Sequence, residues 1–182
     1  SHHWQIGQLL LAEIPDDQRE RRIFDLVRQL NLGSGLIQSD EQRLLLANLN
    51  LMASQKTYLS AAHQASHQYA LEGLRYLRDL EERGDQLWRD HYPLAFDLYT
   101  RAASASYLTG RFEEMERLSD TLIANAASVY DQAGVYEMKL YASISKDDRA
   151  EGLKRGLKAL SLLGLNYPKK PGIPHVLGKL IQ

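Results

Sequence analysis

The 182-residue sequence has no cysteine. Disulfides, thiolate zinc sites, iron–sulfur clusters and cysteine nucleophiles are therefore excluded, and the absence fits a reducing compartment. No window approaches 18 uninterrupted apolar residues, so no transmembrane helix is expected. The opening stretch SHHWQIGQLLLAEI has a short apolar run but neither a basic leader nor a small-residue cleavage site, which argues against a signal peptide. An excess of charge of one sign is also missing. The 22 Lys plus Arg stand against 23 Asp plus Glu, a net charge of -1, which speaks against nucleic acid or an anionic membrane as the main partner.

Glycine and proline are sparse, and Ala, Leu, Glu, Gln and Arg fill the intervals between them, which is helix composition. Apolar spacing agrees. Ile23, Leu26, Val27 and Leu30 fall at i, i+3, i+4 and i+7. Ala133, Tyr136, Leu140 and Ile144 keep one face, as do Ala150, Leu153, Leu157 and Leu160. No segment alternates at period two, so the chain is predicted to be all-α.

Start and stop signals divide it into about eight helices. The first is predicted over about 3–13 and the second over about 16–31, opened by Pro15-Asp16-Asp17. Ser39 with Gln42 forms a capping-box pattern for the third, which is expected to run to about Gln55. The fourth is expected from Tyr58 to Glu82, with Gly84-Asp85 as the break. The fifth starts at Asp90 and tolerates Pro93 in its first turn. Gly110, then 126–128, then Asp147-Asp148 separate the rest. The predicted domain is single, with helix pairs 3–31, 39–82, 90–125 and 129–163. Residues 164–182 form a connector and the start of a further helix; they carry Lys169, Lys170 and Lys179 and no acidic residue.

Helix pairs with recurring large, small and aromatic positions point to a tetratricopeptide-like array, with a plain bundle as the alternative. Anchored on Gly110, the pattern gives Tyr99, Ala102, Ala103 and Tyr107 before the turn, then Phe112, Met115 and Leu122. Anchored on Asp147 it gives Tyr136, Leu140 and Ser143, then Gly152, Gly156 and Ala159. An upstream unit is expected to turn near Lys56, with Ala61 and Ala65 after it. The N-terminus supplies Trp4, Ile6, Gly7 and Leu10. Gly7, Ala61, Ala103 and Gly152 are the small residues expected to let neighbouring helices approach closely.

The stretch YLTGRFEEMERLSDTLIANA, followed by VYEMKLYASISKDDRAEGLKRGLKALSLLGLNYP, resembles the helical-repeat region of very large bacterial multi-sensor signalling kinases. WQIGQLLL, RRIFDLVRQLNLGSGLI and LNLMASQKTYLSAA resemble the same region. In that family a serine/threonine kinase domain and a STAND-type ATPase precede the repeats, and a GAF sensor and a histidine kinase module follow. The resemblance implies a middle segment of a cytoplasmic signalling protein, folded as a degenerate array of helix pairs in a right-handed superhelical solenoid. Its motifs are packing motifs and carry no chemistry.

The residues themselves offer little catalytic material. His63 and His67 have the i, i+4 spacing of two zinc ligands, yet Gln64 stands where a zincin has its Glu, and no third ligand is indicated. Gly33-Ser34-Gly35 follows a helix and lacks the third glycine of a dinucleotide loop. Glu113, Glu114 and Glu116 are read as complementing a helix dipole and facing water. No catalytic residue, cofactor or metal is expected. The expected function is a non-enzymatic binding or regulatory scaffold. Its partner would be a protein or peptide, possible partners including other modules of its own parent chain. Asn48, Gln55, Arg101 and Lys139 are the polar groove candidates. Tyr99, Tyr107, Gly110, Phe112 and Tyr136 are assigned to repeat packing alongside Trp4. The alternative is a stand-alone bundle with a small-ligand or metal pocket.

Overall fold

Ser39 shows how locally the helices are specified. Its Oγ accepts from the Gln42 backbone N–H at 3.2 Å, and Gln42 Oε1 accepts from the Ser39 N–H at 3.4 Å, so two of the first-turn donors are satisfied reciprocally. This capping box starts α3, Asp40–Leu59. The computed structural model describes residues 2–82 and 86–167. Among the described residues there are nine α-helices, two short 3-10 turns and no strand. The remaining helices are α1 (His2–Glu13), α2 (Ile23–Leu32), α4 (His63–Glu81), α5 (Leu87–Asp90), α6 (Tyr92–Leu108), α7 (Phe112–Asn125), α8 (Val129–Ser145) and α9 (Arg149–Leu162). The expected break at Gly84-Asp85 and the segment beyond Tyr167, with its three lysines, lie outside the described residues.

The chain forms two compact units, 1–118 and 119–182, with the division falling inside α7. In the first, α2 buries Ile23, Leu26, Val27 and Leu30, as the spacing predicts. Gly7 is buried in α1, and a Cβ there would come within 2.6 Å of Leu30 Cδ2, so any larger residue would force Leu30 to shift at this approach of α1 to α2. The second helix starts at Ile23 and not at 16. Asp16–Gln18 closes a single 3-10 turn, and Arg19-Glu20-Arg21-Arg22 offers no apolar residue to reward a longer helix. In front of α6, Leu87–Asp90 forms a separate short helix that buries Leu87; α6 begins at Tyr92 with Pro93 in its first turn. α6 packs chiefly on α4 and also on α3. Gly73 of α4 provides the opening, since a Cβ there would meet Leu98 Cδ2 at 2.6 Å.

Three hairpins share one turn. Ala61, Gly110 and Asp147 have φ of 58°, 76° and 57°, and each is followed by one residue before the next helix starts. In each the following N–H reaches back five residues: Ala62 to Thr57 O (2.9 Å), Arg111 to Ser106 O (2.8 Å), Asp148 to Ser143 O (2.9 Å). This is the Schellman closure, which satisfies carbonyls left over at a helix end. The second hairpin turn therefore sits at Ala61 and not near Lys56. Nothing between Leu51 and Leu59 breaks a helix, so α3 continues to its end at Leu59. Ala61 is accordingly an exposed left-handed turn residue and not a small helix-contact residue.

A buried polar network joins α2, α3 and α4. Asn31 and Asn50 exchange side-chain hydrogen bonds at 2.9 and 3.0 Å, and the Tyr76 hydroxyl donates to Asn31 Oδ1 at 3.1 Å. Tyr76 is 0% exposed, and burial pushes its hydroxyl up to about 12. In the second unit α8 and α9 form a hairpin. A Cβ built on Gly152 or Gly156 would lie 3.5 Å from Leu140, an ordinary van der Waals contact, so alanine would also fit at either position.

Candidate functional site

The hinge after α6 is tied to α4 by polar side chains. His67 lies on the buried stripe of α4 with Ala70, Leu74 and Leu77, so an imidazole enters the core and requires a partner. Its partner is Glu114 in the first turn of α7, with Nε2 to Oε2 at 2.6 Å. Ser106 Oγ donates to the same carboxylate oxygen at 3.1 Å, and Arg111 Nη2 donates to Gln64 Oε1 at 2.9 Å. Glu114 therefore does not face water as its neighbour Glu113 does; it is half-buried and bridges two elements.

Ser, His and Glu together invite a nucleophile reading, and the geometry opposes it. In a hydrolytic triad the hydroxyl donates to the imidazole and the carboxylate lies beyond it. Here the carboxylate sits between Ser106 and His67, so Ser106 donates to Glu114 and not to the imidazole. The two histidines also diverge. His67 goes to Glu114, whereas His63 meets the Tyr58 ring edge-on at 5.4 Å. Among the described residues no group of three His, Cys, Asp or Glu side chains is placed to hold a metal.

Three of the four groove candidates lie in the first unit and Lys139 in the second. Asn48 is exposed and donates to Leu44 O at 2.9 Å, and Gln55 is half-buried on α3. Arg101 lies over the Tyr58 ring at 4.1 Å, which links α6 to α3 near Gln55. Lys139 belongs to the other unit and is 8% exposed, with Nζ 2.6 Å from Asp120 Oδ1. Its ammonium is thus largely buried and already paired, and the residue lines a cleft of that unit. Its place on the Val135, Lys139, Ala142 stripe of α8 is the signal that sequence reading missed.

Residues assigned to packing occupy several environments. Trp4 is partly buried against the core of the first unit, and Ala103 is fully buried. Tyr99 is half-buried beside Trp88, ring centroids 5.2 Å apart, and burial raises its hydroxyl above the usual value. Tyr107 and Phe112 flank exposed Gly110 with centroids 6.3 Å apart. Gly152 is buried against Leu140 and Ser143, and half-buried Tyr136 lines a cleft.

That cleft lies wholly in the second unit and has a volume of about 820 Å³. Tyr136 and Lys139 form one side, α9 contributes a row including Leu153, Lys154, Leu157 and Lys158, and Asn166 with Tyr167 lie at its margin. Arg155 Nη1 donates to Lys139 O at 3.0 Å, and its Nε donates to Glu151 at 3.0 Å. Hydrogen bonds from Arg155 and Lys154 hold the Glu151 carboxyl below the ordinary carboxylate range.

Fold and site together define an all-α chain of helical hairpins joined by a common turn, among the described residues. No protein-family model matches it, and no solved structure matches it. Over 107 residues, 57% of the chain, it is 31% identical to the hybrid signal transduction histidine kinase G of Dictyostelium discoideum. The chain spans 3% of that protein's length. No helix among the described residues is long and apolar enough to cross a membrane.

Proposed function

We propose that this chain is a non-enzymatic helical-repeat segment of a multidomain signalling kinase, and that it binds a protein partner or passes conformational state between modules. The observation that carries the reading is the recurrence of one Schellman turn, at Ala61, Gly110 and Asp147, in three successive hairpins. Repetition of one packing unit builds an extended surface rather than a single pocket, which suits recognition of protein. Likeness to a stretch of a hybrid histidine kinase supports the signalling context.

The finer reading belongs to the same proposal. The hairpins form a degenerate tetratricopeptide-like array, wound as a right-handed superhelical solenoid, in a cytoplasmic protein of bacterial multi-sensor type. The array stands between a STAND-type ATPase and downstream GAF and histidine kinase modules. There it restrains or relays nucleotide-driven activation. These steps rest on the family resemblance of the sequence.

Deleting this segment in frame from the parent kinase tests the role. Autophosphorylation should persist and lose its dependence on the state of the ATPase module. Unchanged dependence on the ATPase module after the deletion would overturn the reading, because the segment would then neither restrain nor relay.

A further inference from the structure

The α8–α9 cleft has a composition unlike that of the whole chain. The molecule is nearly neutral overall, yet from Gly152 to the C-terminus there is no Asp or Glu, while Lys154, Arg155 and Lys158 occupy α9. All three line the cleft with Lys139, and the carboxylate that lines it with them is Glu151. Glu151 is already engaged by Arg155 and Lys154, and Lys139 is paired with Asp120. Lys158 is exposed. Positive charge therefore remains on the cleft wall.

The same wall is apolar. Leu153 is 59% exposed and stands one turn from Leu157, and Tyr136 and Tyr167 line the same cleft. Leucine at this exposure on a helix is uncovered apolar surface that a ligand would bury. Basic and apolar groups in register at i, i+3 and i+4 call for a ligand that carries carboxylates beside hydrophobic side chains.

We infer that this cleft is a docking site for an acidic, leucine- or aromatic-containing segment of a partner protein, with Lys154 and Lys158 facing its carboxylates and Leu153, Leu157 and Tyr136 its apolar side chains. The inference deepens the proposed binding role and rests on it. Charge complementarity selects this occupant. The chain's own 168–182 segment carries Lys169, Lys170 and Lys179 and no acid, so its charge does not complement that of the wall. The exposed leucines and tyrosines favour a protein ligand over a nucleic acid, whose outer surface is phosphate.

The experiment is fluorescence anisotropy of the full chain with a labelled peptide alternating Glu with Leu and Tyr, beside its Gln-for-Glu counterpart. Binding should favour the acidic peptide and weaken as salt rises. The double variant Lys154→Glu/Lys158→Glu should weaken it by roughly tenfold or more. Lys158→Gln, a single exposed change, should weaken it less and leave the thermal melt unchanged, which guards against misfolding. Equal binding of the Gln peptide, or no loss in the double variant, would overturn the site. So would tighter binding of polyuridylate with the same loss, which would make it a nucleic-acid surface. A gain of about tenfold on removing 168–182 would show that the chain fills its own cleft, and a concentration-dependent dimer abolished by the double variant would assign it to a second copy. If the double variant still binds the parent's other modules normally, the cleft assignment fails while the scaffold reading stands.

Discussion

The imidazole of His67 and the carboxylate of Glu114, 47 positions apart in sequence, meet at 2.6 Å and join α4 to the first turn of α7. The contact fastens the YLTGRFEEMERL hinge to the hairpin before it. His67 is only 5% exposed, so removing its partner leaves a buried ring nitrogen unsatisfied. Glu114→Ala should cost about 1–3 kcal/mol in urea unfolding, and Glu114→Gln, which keeps an acceptor, should cost less. Equal stability of the Ala variant and the parent would mean that the bridge contributes nothing.

Turn geometry gives a pair of opposite-signed predictions. A Cβ on Gly110 meets nothing within 4 Å, so Gly110→Ala acts through backbone conformation alone and should destabilise by about 1 kcal/mol. Ala61→Gly at the equivalent left-handed position should be neutral to stabilising, because relief of the same strain is offset by unfolded-state entropy of about 0.4–1 kcal/mol. Thermal melts of both variants, read together, check the common turn; destabilisation by both would contradict it.

Phe112 is half-buried against Tyr107 and not fully enclosed. Phe112→Ala should therefore cost about 1–2 kcal/mol, below the 3–5 kcal/mol of a fully buried ring. Chemical unfolding of the variant measures this directly.

Tyr76 makes stability depend on alkaline pH. Its hydroxyl is raised from 10.0 to about 12 in the folded chain, chiefly by burial. The folded state therefore favours the neutral form. The associated stability is complete below pH 10.0 and is lost as pH rises from there through about 12. Tyr76→Phe should lower stability at neutral pH by about 0.5–1.5 kcal/mol, through the lost bond to Asn31, and should flatten the alkaline limb. An unchanged alkaline limb in this variant would show that other groups set it.

What could be read from the sequence was what the chain settles locally. The Ser39–Gln42 box, the Ile23–Leu30 stripe and the hinges at Gly110 and Asp147-Asp148 each depend on residues within two helical turns. Ala61 was not legible, because alanine carries no turn signal and the left-handed geometry follows from how α3 ends and α4 packs. Glu114 was read as a solvent residue for a related reason: its partner is remote, although His67 on an apolar stripe advertises the need for one. The burial of Lys139 is marked by its neighbours at i−4 and i+3, Val135 and Ala142, whereas its pairing with Asp120 needs the fold. The charge of the α9 cleft was visible as the absence of acids after Glu151, but only the fold brings Tyr136 into the same cleft.

The central claim, a protein-binding segment without chemistry of its own, is tested most directly by calorimetric titration of the full chain with the separately expressed ATPase and kinase modules of its parent, with and without nucleotide. Saturable binding to at least one module, changed in affinity by nucleotide, is the predicted result. Absence of binding to every module in both nucleotide states, or heat from ATP turnover by the chain alone, would contradict it.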